Sequence, residues 1–441
     1  MKNASIPPTL SKRGISATKV PLRTDMDLFF KAKDNQWHPQ QNPTGKFPLN
    51  VAENNLCWDL LEQKLGAVLE SKKLPKWISG YTDMKGDASF LETMATFMTK
   101  HLCHTPINAD YLLSAAGAAA IIELASWILC DADDVAVFPA PAYPVYTQDI
   151  GSKARVERYN LLTHHNLDEL QEGHSLSIRH LEQTWADLQD GGKQFRLLVL
   201  TTPDNPTGSI YSHQKLLEIS QWCIDNKIHL LVNELYGLSR IDTQHPSIVN
   251  DYSKQIEFKS FAQIINQKKS DYLHLAYGLS KDFGISGFRV GLLYTLNEQF
   301  HLAFENLTAP HLVSNYTQWM ITEVFSDQHF LQKYIATNQK RLTENYITVI
   351  KSLKKIEIPY VPAYGSLFVW MDLSTLMSDN TQAEEQKLWR NIYDELGILL
   401  TPGIDFGHSK WGQFRLVHPF IQKSALEEVM KRLEVFVLTR R

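Results

Sequence analysis

Lys281 stands in a glycine-punctuated segment, residues 277–291, that reads Y-G-L-S-K-D-F-G-I-S-G-F-R-V-G and lies between two β-rich runs. A lysine amine attacks carbonyl carbon and afterwards carries protons, provided that its surroundings keep part of it neutral. Arg289, eight residues further on, offers a planar fork of N–H donors that suits a phosphate or a carboxylate. Residues 116–119, A-G-A-A, open a long apolar run, where a helix start would leave backbone N–H groups at its positive end to hold an anion. Tyr143 lies in P-A-P-A-Y-P-V-Y (139–146), Asn205 in N-P-T-G (205–208), Asn233 and Tyr236 in V-N-E-L-Y (232–236), and Arg415 in Q-F-R-L (413–416). Each of these alone has a plainer reading: a solvated Lys and Arg beside a turn, tight packing, a core aromatic, a good turn former, a partly exposed charge.

Together and in this order they carry a resemblance. The segment around Lys281 resembles the lysine motif of the class I/II aminotransferases, which are fold type I pyridoxal-phosphate enzymes. Its fuller wording, S-K-D-F-G-x-x-G-F-R-V-G, is most similar to the 1-aminocyclopropane-1-carboxylate (ACC) synthase-like branch. The likeness runs from about residue 50 to 420. It implies pyridoxal 5'-phosphate as the cofactor, held as an imine on Lys281, whose amine then shuttles a proton at the substrate α-carbon. It further implies that Ala118, Ala119, Ser280 and Arg289 sit around the cofactor phosphate and that Tyr143 lies on the ring. Asn205 and Tyr236 would bond the phenolic oxygen, and Arg415 would grip the substrate α-carboxylate. Glu53, in A-E-N-N (52–55), would face the substrate side chain, where a carboxylate suits a cationic sulfonium. The resemblance thus points to a biosynthetic enzyme of amino-acid metabolism, acting on a small amino acid by amino transfer or by γ-elimination. A homodimer with its site between subunits follows from the same likeness. The alternative is a relative that keeps the fold as a binding or regulatory protein after losing the chemistry.

Four positions depart from the family pattern. Asn233 stands where the family has an Asp that ion-pairs with the pyridine nitrogen and makes the ring an electron sink. Glu234 does not substitute, because successive strand side chains point to opposite faces. Gly278 replaces a Ser, Ala119 a Thr, and Met84 a Tyr that reaches over from the partner subunit. Lost hydrogen bonds to a charged ligand cost about 1.5–3 kcal/mol each, so these changes predict a weaker hold on the cofactor.

The elements that must position these residues are legible as an alternation. β-rich runs at 135–138, 155–159, 197–201, 228–232, 273–277 and 289–294 are separated by helical stretches such as 214–225. That pattern predicts an α/β fold, a mostly parallel sheet flanked by helices, with ligands beyond the carboxyl ends of the strands. The apolar run 112–130 reads as a buried helix, since Ser114, Gly117, Glu123 and Ser126 interrupt it as a membrane span. Helices are also expected over 58–69, from Ser89 with a Ser89/Glu92 capping box, and at the C-terminus from Ser424 with Glu427. The expected division is an extended arm at 1–50 belonging to a smaller domain, a large cofactor-binding domain at 51–310, and a smaller α+β domain at 311–441.

Composition agrees with this reading and narrows it. Forty-four basic and 48 acidic residues give a formal charge of −4, with no basic run that would follow a nucleic-acid backbone. Cys57, Cys103, Cys130 and Cys223 form no C-x-x-C pair, which argues against a zinc site or a disulfide framework and for a reducing, cytoplasmic setting. No metal is expected. The first residues carry no apolar stretch of the secretory kind.

Overall fold

The computed structural model of the chain describes residues 9–19, 23, 25–164, 167, 169, 175–408 and 410–440. Its strands are β1 (Phe47–Pro48), β2 (Leu112–Ala115), β3 (Val135–Ala140), β4 (Glu157–Leu162), β5 (Phe195–Thr201), β6 (His229–Asn233), β7 (Leu273–Gly278), β8 (Gly291–Thr295), β9 (Phe368–Asp372), β10 (Ile398–Leu399), β11 (Thr401–Pro402) and β12 (Gln413–Val417). Seven of them make one sheet in the order β2-β8-β7-β6-β5-β3-β4, in which β8 alone runs against its neighbours. The central strands are near-continuous aliphatic runs because helices cover both of their faces. Leu197, Leu198, Leu200, Leu230, Leu231 and Val232 are each at most 1% exposed. Burial of each contributes about 1.5–3 kcal/mol against an exposed reference.

Register aligns the ends of these strands. Thr201 pairs with Asn233, Asn233 with Ala276, and Gly278 with Gly291, which in turn pairs with Ala115. The loops after β2, β3, β5, β6 and β7 therefore leave the same edge, and they contain the motifs around Ala118, Tyr143, Asn205, Tyr236 and Lys281. A second, antiparallel sheet of order β11-β12-β9 sets Arg415 between Thr401 and Trp370. The early strand β1 pairs in parallel with β10, so residues just after it lie between the two sheets.

Several expectations are corrected. The run 112–130 is not one helix: it is strand β2, a turn at Gly117 with φ +99°, and the helix Ala118–Leu129. Gly117 adopts a backbone conformation that side chains disfavour, which breaks the run in two. The helix Ala88–Phe97 is capped by Asp87, whose carboxylate accepts the N–H groups of Ser89 and Phe90, so Ser89 is not the cap. The last helix, Lys423–Leu438, starts one residue before Ser424 and has Gln422 at its cap position without a side-chain bond. The 1–50 segment is not a bare extended arm in its described part. It holds the helices Lys12–Ala17 and Met26–Asp34, and buries Phe29, Ala32, Phe47 and Leu49. Arg289 is not in a strand: it has φ +56°, and β8 begins at Gly291. The described helix at 58 spans Trp58–Ser71 and buries Leu61 and Val68, while Leu69 is exposed. Part of the polar stretch 160–179 lies outside the described residues.

Candidate active site

A cavity of about 200 Å³ opens where the strand ends converge. Ala118, Ala119, Tyr143, Asn205, Asn233, Tyr236, Ser280, Lys281, Arg289 and Arg415 all line it, although they come from six separate stretches of chain. Glu53 does not line it, but its charge acts on Lys281. The cavity also contains side chains that the sequence motifs did not single out, namely Arg23, Tyr146, Asp149 and Thr201.

Lys281 lies on the single turn Leu279–Asp282 directly after β7. The neighbouring Asp282 locks that turn: its buried carboxylate accepts the Leu238 N–H at 3.0 Å, the Ser239 hydroxyl at 2.6 Å and the Tyr277 hydroxyl at 3.0 Å. Lys281 Nζ donates to the Ala52 carbonyl at 2.6 Å, and the Asn54 amide donates to the Lys281 carbonyl at 3.3 Å. Loss of hydration pulls the Lys281 amine down to about 8; Glu53 opposes that shift, and Arg415, Arg289 and Arg23 add to it. The segment 52–54 thereby holds the lysine in place and tunes it.

One end of the cavity is built for a dianion. The helix Ala118–Leu129 starts there with no side-chain cap, so its first N–H groups and its dipole are available. Arg289 stands beside it, fixed by donation to the carbonyls of Ser286 (2.9 Å) and Ala116 (3.0 Å). A Cβ on Gly117 would come within 2.2 Å of Arg289 Nη2, and one on Gly291 within 2.4 Å of the Gly117 carbonyl carbon. Only glycines allow this approach. Gly278 has the same kind of cause, since a Cβ there would meet the Val290 carbonyl oxygen at 2.9 Å.

At another wall Arg415 is buried, 2% exposed, with no acidic partner among the described residues. Its Nη1 donates to Asn205 Oδ1 at 2.8 Å and its Nη2 to the Asn50 carbonyl at 2.6 Å, while Nε has no partner among the described residues. The guanidinium lies 4.5 Å from the ring centre of Phe368 and 5.0 Å from that of Phe406. Burial and the nearby Arg23 draw its pKa down to about 10. A buried cation held by neutral groups is strongly attractive to a carboxylate. Asn205 also reaches the Tyr236 hydroxyl at 3.5 Å, so the two predicted partners of one cofactor oxygen stand together.

Asn233 closes β6 at the cavity wall and is buried. Its Nδ2 donates to the Tyr146 hydroxyl at 2.9 Å and its Oδ1 accepts the Leu235 N–H at 3.1 Å. The Tyr146 hydroxyl also bonds Thr201 Oγ1 at 2.9 Å. Glu234 points to the other face, where it accepts from the Ser260 hydroxyl at 2.7 Å and the Phe261 N–H at 2.5 Å. It is therefore out of reach of the cavity, as strand alternation predicts.

Residues 48–433 match the family model described as aminotransferase class I and II. The chain belongs to this family. Among similar proteins is 1-aminocyclopropane-1-carboxylate synthase 7 of Arabidopsis thaliana, 30% identical over 93% of this chain and 92% of that protein. A mouse protein named probable inactive 1-aminocyclopropane-1-carboxylate synthase-like protein 2 is also 30% identical, over 93% of this chain and 69% of its own length. The fold is shared with an archaeal alanine:glyoxylate aminotransferase (TM-score 0.80, 16% identity, covering 98% of each chain). It is shared also with an aspartate aminotransferase of Thermotoga maritima (TM-score 0.74, 18% identity, 97% and 100% covered). Members of the class I and II aminotransferase family depend on pyridoxal phosphate. This member's cavity fits that group, with an uncapped helix start and Arg289 set close by a glycine cradle for a phosphate, and an amine of lowered basicity for an aldehyde. Among the described residues no helix is long and apolar enough to cross a membrane.

Proposed function

We propose that this chain acts on a small α-amino acid, by amino transfer or by ACC synthase-like γ-elimination, with Lys281 as its central catalytic residue. The observation that supports this most is the convergence of a partly neutral buried amine and a carboxylate-seeking guanidinium, Lys281 and Arg415, in one cavity with a phosphate cradle. When bound, pyridoxal phosphate supplies an aldehyde for the amine and a ring that withdraws electrons from the substrate α-carbon. Ala118 and Ala119 N–H groups, Ser280 and Arg289 would hold its phosphate, and Tyr143 would offer its ring to the cofactor's. Asn205 and Tyr236 would donate to its phenolic oxygen, and Asn233 would be the neutral residue at the position of the nitrogen's partner. Arg415 grips the substrate carboxylate, which orients the α-hydrogen toward Lys281, and Lys281 takes and returns that proton. Glu53, on the substrate side of the lysine, favours a cationic side chain.

Residues 51–310 then form the cofactor-binding domain, with 1–50 and 311–441 making the smaller one that carries Arg415. A cytoplasmic homodimer suits this reading: the four cysteines are buried with no disulfide between them. Exposed Trp58 and Tyr81, the latter near Met84, provide apolar surface for a second copy. A second reading, a catalytically impaired binding or regulatory protein, is favoured by Asn233 and by the name of the mouse relative. The purified holoprotein decides between them. Spectral change with an amino acid plus a 2-oxo acid supports amino transfer, turnover without a 2-oxo acid supports a lyase, and binding without turnover by any amino acid supports the second reading.

A further inference from the structure

The cavity is lined by four cationic side chains, Arg23, Lys281, Arg289 and Arg415, and, among the described residues, by one carboxylate, Asp149. Asp149 lies on the helix Tyr146–Gly151, three residues after Tyr146, so the two side chains share a face. Tyr146 is the residue that holds Asn233 and Thr201 through its hydroxyl. Asp149 therefore lines the cavity one helical turn from the residue that holds Asn233. Burial and the charge of Glu123 push its carboxyl up to about 7. The groups around it are Glu123, itself paired with Lys153 and His311, together with Tyr143 and Tyr146, and Arg158 meets the same helix at Thr147. Arg158 is engaged by Thr147 and by the carbonyls of Ala142, Tyr143 and Pro144.

We propose that Asp149 supplies the negative charge that pairs with the pyridine nitrogen of bound pyridoxal phosphate, in place of the carboxylate missing at Asn233. The amide of Asn233 holds Tyr146 and carries no charge, and Glu234 is turned to the opposite face. A cationic ring nitrogen in a cavity otherwise rich in positive charge needs a local anion. Asp149 is the acidic group in that wall, and a cation placed beside it favours its ionised form. This inference rests on the cofactor assignment and deepens it.

The test uses the protein loaded with pyridoxal phosphate labelled with ¹⁵N in the ring, as wild type, Asp149→Asn, Asn233→Asp and the double variant. The ¹⁵N shift of the ring and the dissociation constant of pyridoxal phosphate are measured from pH 6 to 8.5. The expected result is a protonated ring nitrogen in wild type and an unprotonated one in Asp149→Asn, with affinity reduced on the order of tenfold above pH 7. Asn233→Asp in the Asp149→Asn background should restore both. An identical shift and affinity in wild type and Asp149→Asn overturns the proposal. So does an unprotonated nitrogen in wild type, a readout that stands even if the variant does not fold. Failure of wild type to bind pyridoxal phosphate at all overturns the cofactor assignment as well, and is distinguishable from both.

Discussion

The rate at which Lys281 captures pyridoxal phosphate should carry the imprint of its surroundings. With a pKa of about 8 against an ordinary value of 10.5, about 10% of the amine is neutral at pH 7, against roughly 0.03% for an ordinary lysine. The neutral fraction is thus on the order of 300-fold greater. Apo-protein mixed with the vitamer in a stopped-flow absorbance experiment should therefore load with a rate that climbs about tenfold per pH unit and levels near pH 8. A free lysine derivative in the same buffers provides the reference, and Lys281→Ala the blank. The sign of each neighbour's effect is fixed. Glu53 favours the ammonium form and Arg23 disfavours it, so Glu53→Gln moves the levelling point down and Arg23→Gln moves it up. A wild-type profile still rising at pH 10, or an upward move in Glu53→Gln, would refute the reasoning.

In the Asp149→Asn background, Asn233→Asp should raise turnover of whichever amino acid the protein accepts, because it returns a charged partner to the ring; steady-state kinetics showing an equal or lower kcat than Asp149→Asn alone contradict this. Gly117→Ala should weaken pyridoxal phosphate binding at least tenfold and lower the Tm, since its methyl would meet Arg289 at 2.2 Å on a backbone with φ +99°; equilibrium dialysis and thermal melts check it. His418 is fully buried, neither ring nitrogen has a partner among the described residues, and burial pulls it down to about 3. The unfolded chain takes up a proton near pH 6.5 while the folded one does not, so this stabilising contribution is complete above pH 6.5 and is lost on acidification. His418→Leu should remove about 1.4 kcal/mol per pH unit of acid sensitivity between pH 6.5 and 4, read from urea denaturation. Buried acids whose pKa is raised, such as Asp204 and Glu234, act in the opposite direction in both proteins, so the difference between them is the quantity to compare.

The sheet was legible because its strands are short aliphatic runs bounded by turns, and all six expected runs overlap observed strands. Local chemistry was harder to read. Ser89 and Ser424 have the right partners three residues on, but Asp87 is a better acceptor in the first case and the chain enters the helix earlier in the second. The split at Gly117 is invisible to apolar periodicity, since β2 and the following helix are equally hydrophobic, although the small-residue run A-G-A-A marks the place. Most of the motif residues converge on the cavity because they end or follow strands of one mostly parallel sheet, while Arg415 comes from the second, antiparallel sheet. Tyr146 and Asp149 were missed although they begin where the quoted loop ends; their three-residue spacing was the available signal. Arg23, a lone arginine in a polar stretch, left no signal at all. Its position depends on contacts with Asp25 and Asn50 that only the folded chain brings about.

Residues 47–54 touch both halves of the machinery. β1 is stitched to β10, the Asn50 carbonyl accepts from Arg415, and the Ala52 carbonyl accepts from Lys281. One short stretch of backbone thus accepts from both the guanidinium and the amine, two residues apart, so a shift of that stretch on ligand arrival would be felt at both. A glycine inserted between positions 50 and 52 would put slack in that tether, in a stretch whose Val51 and Ala52 themselves line the cavity.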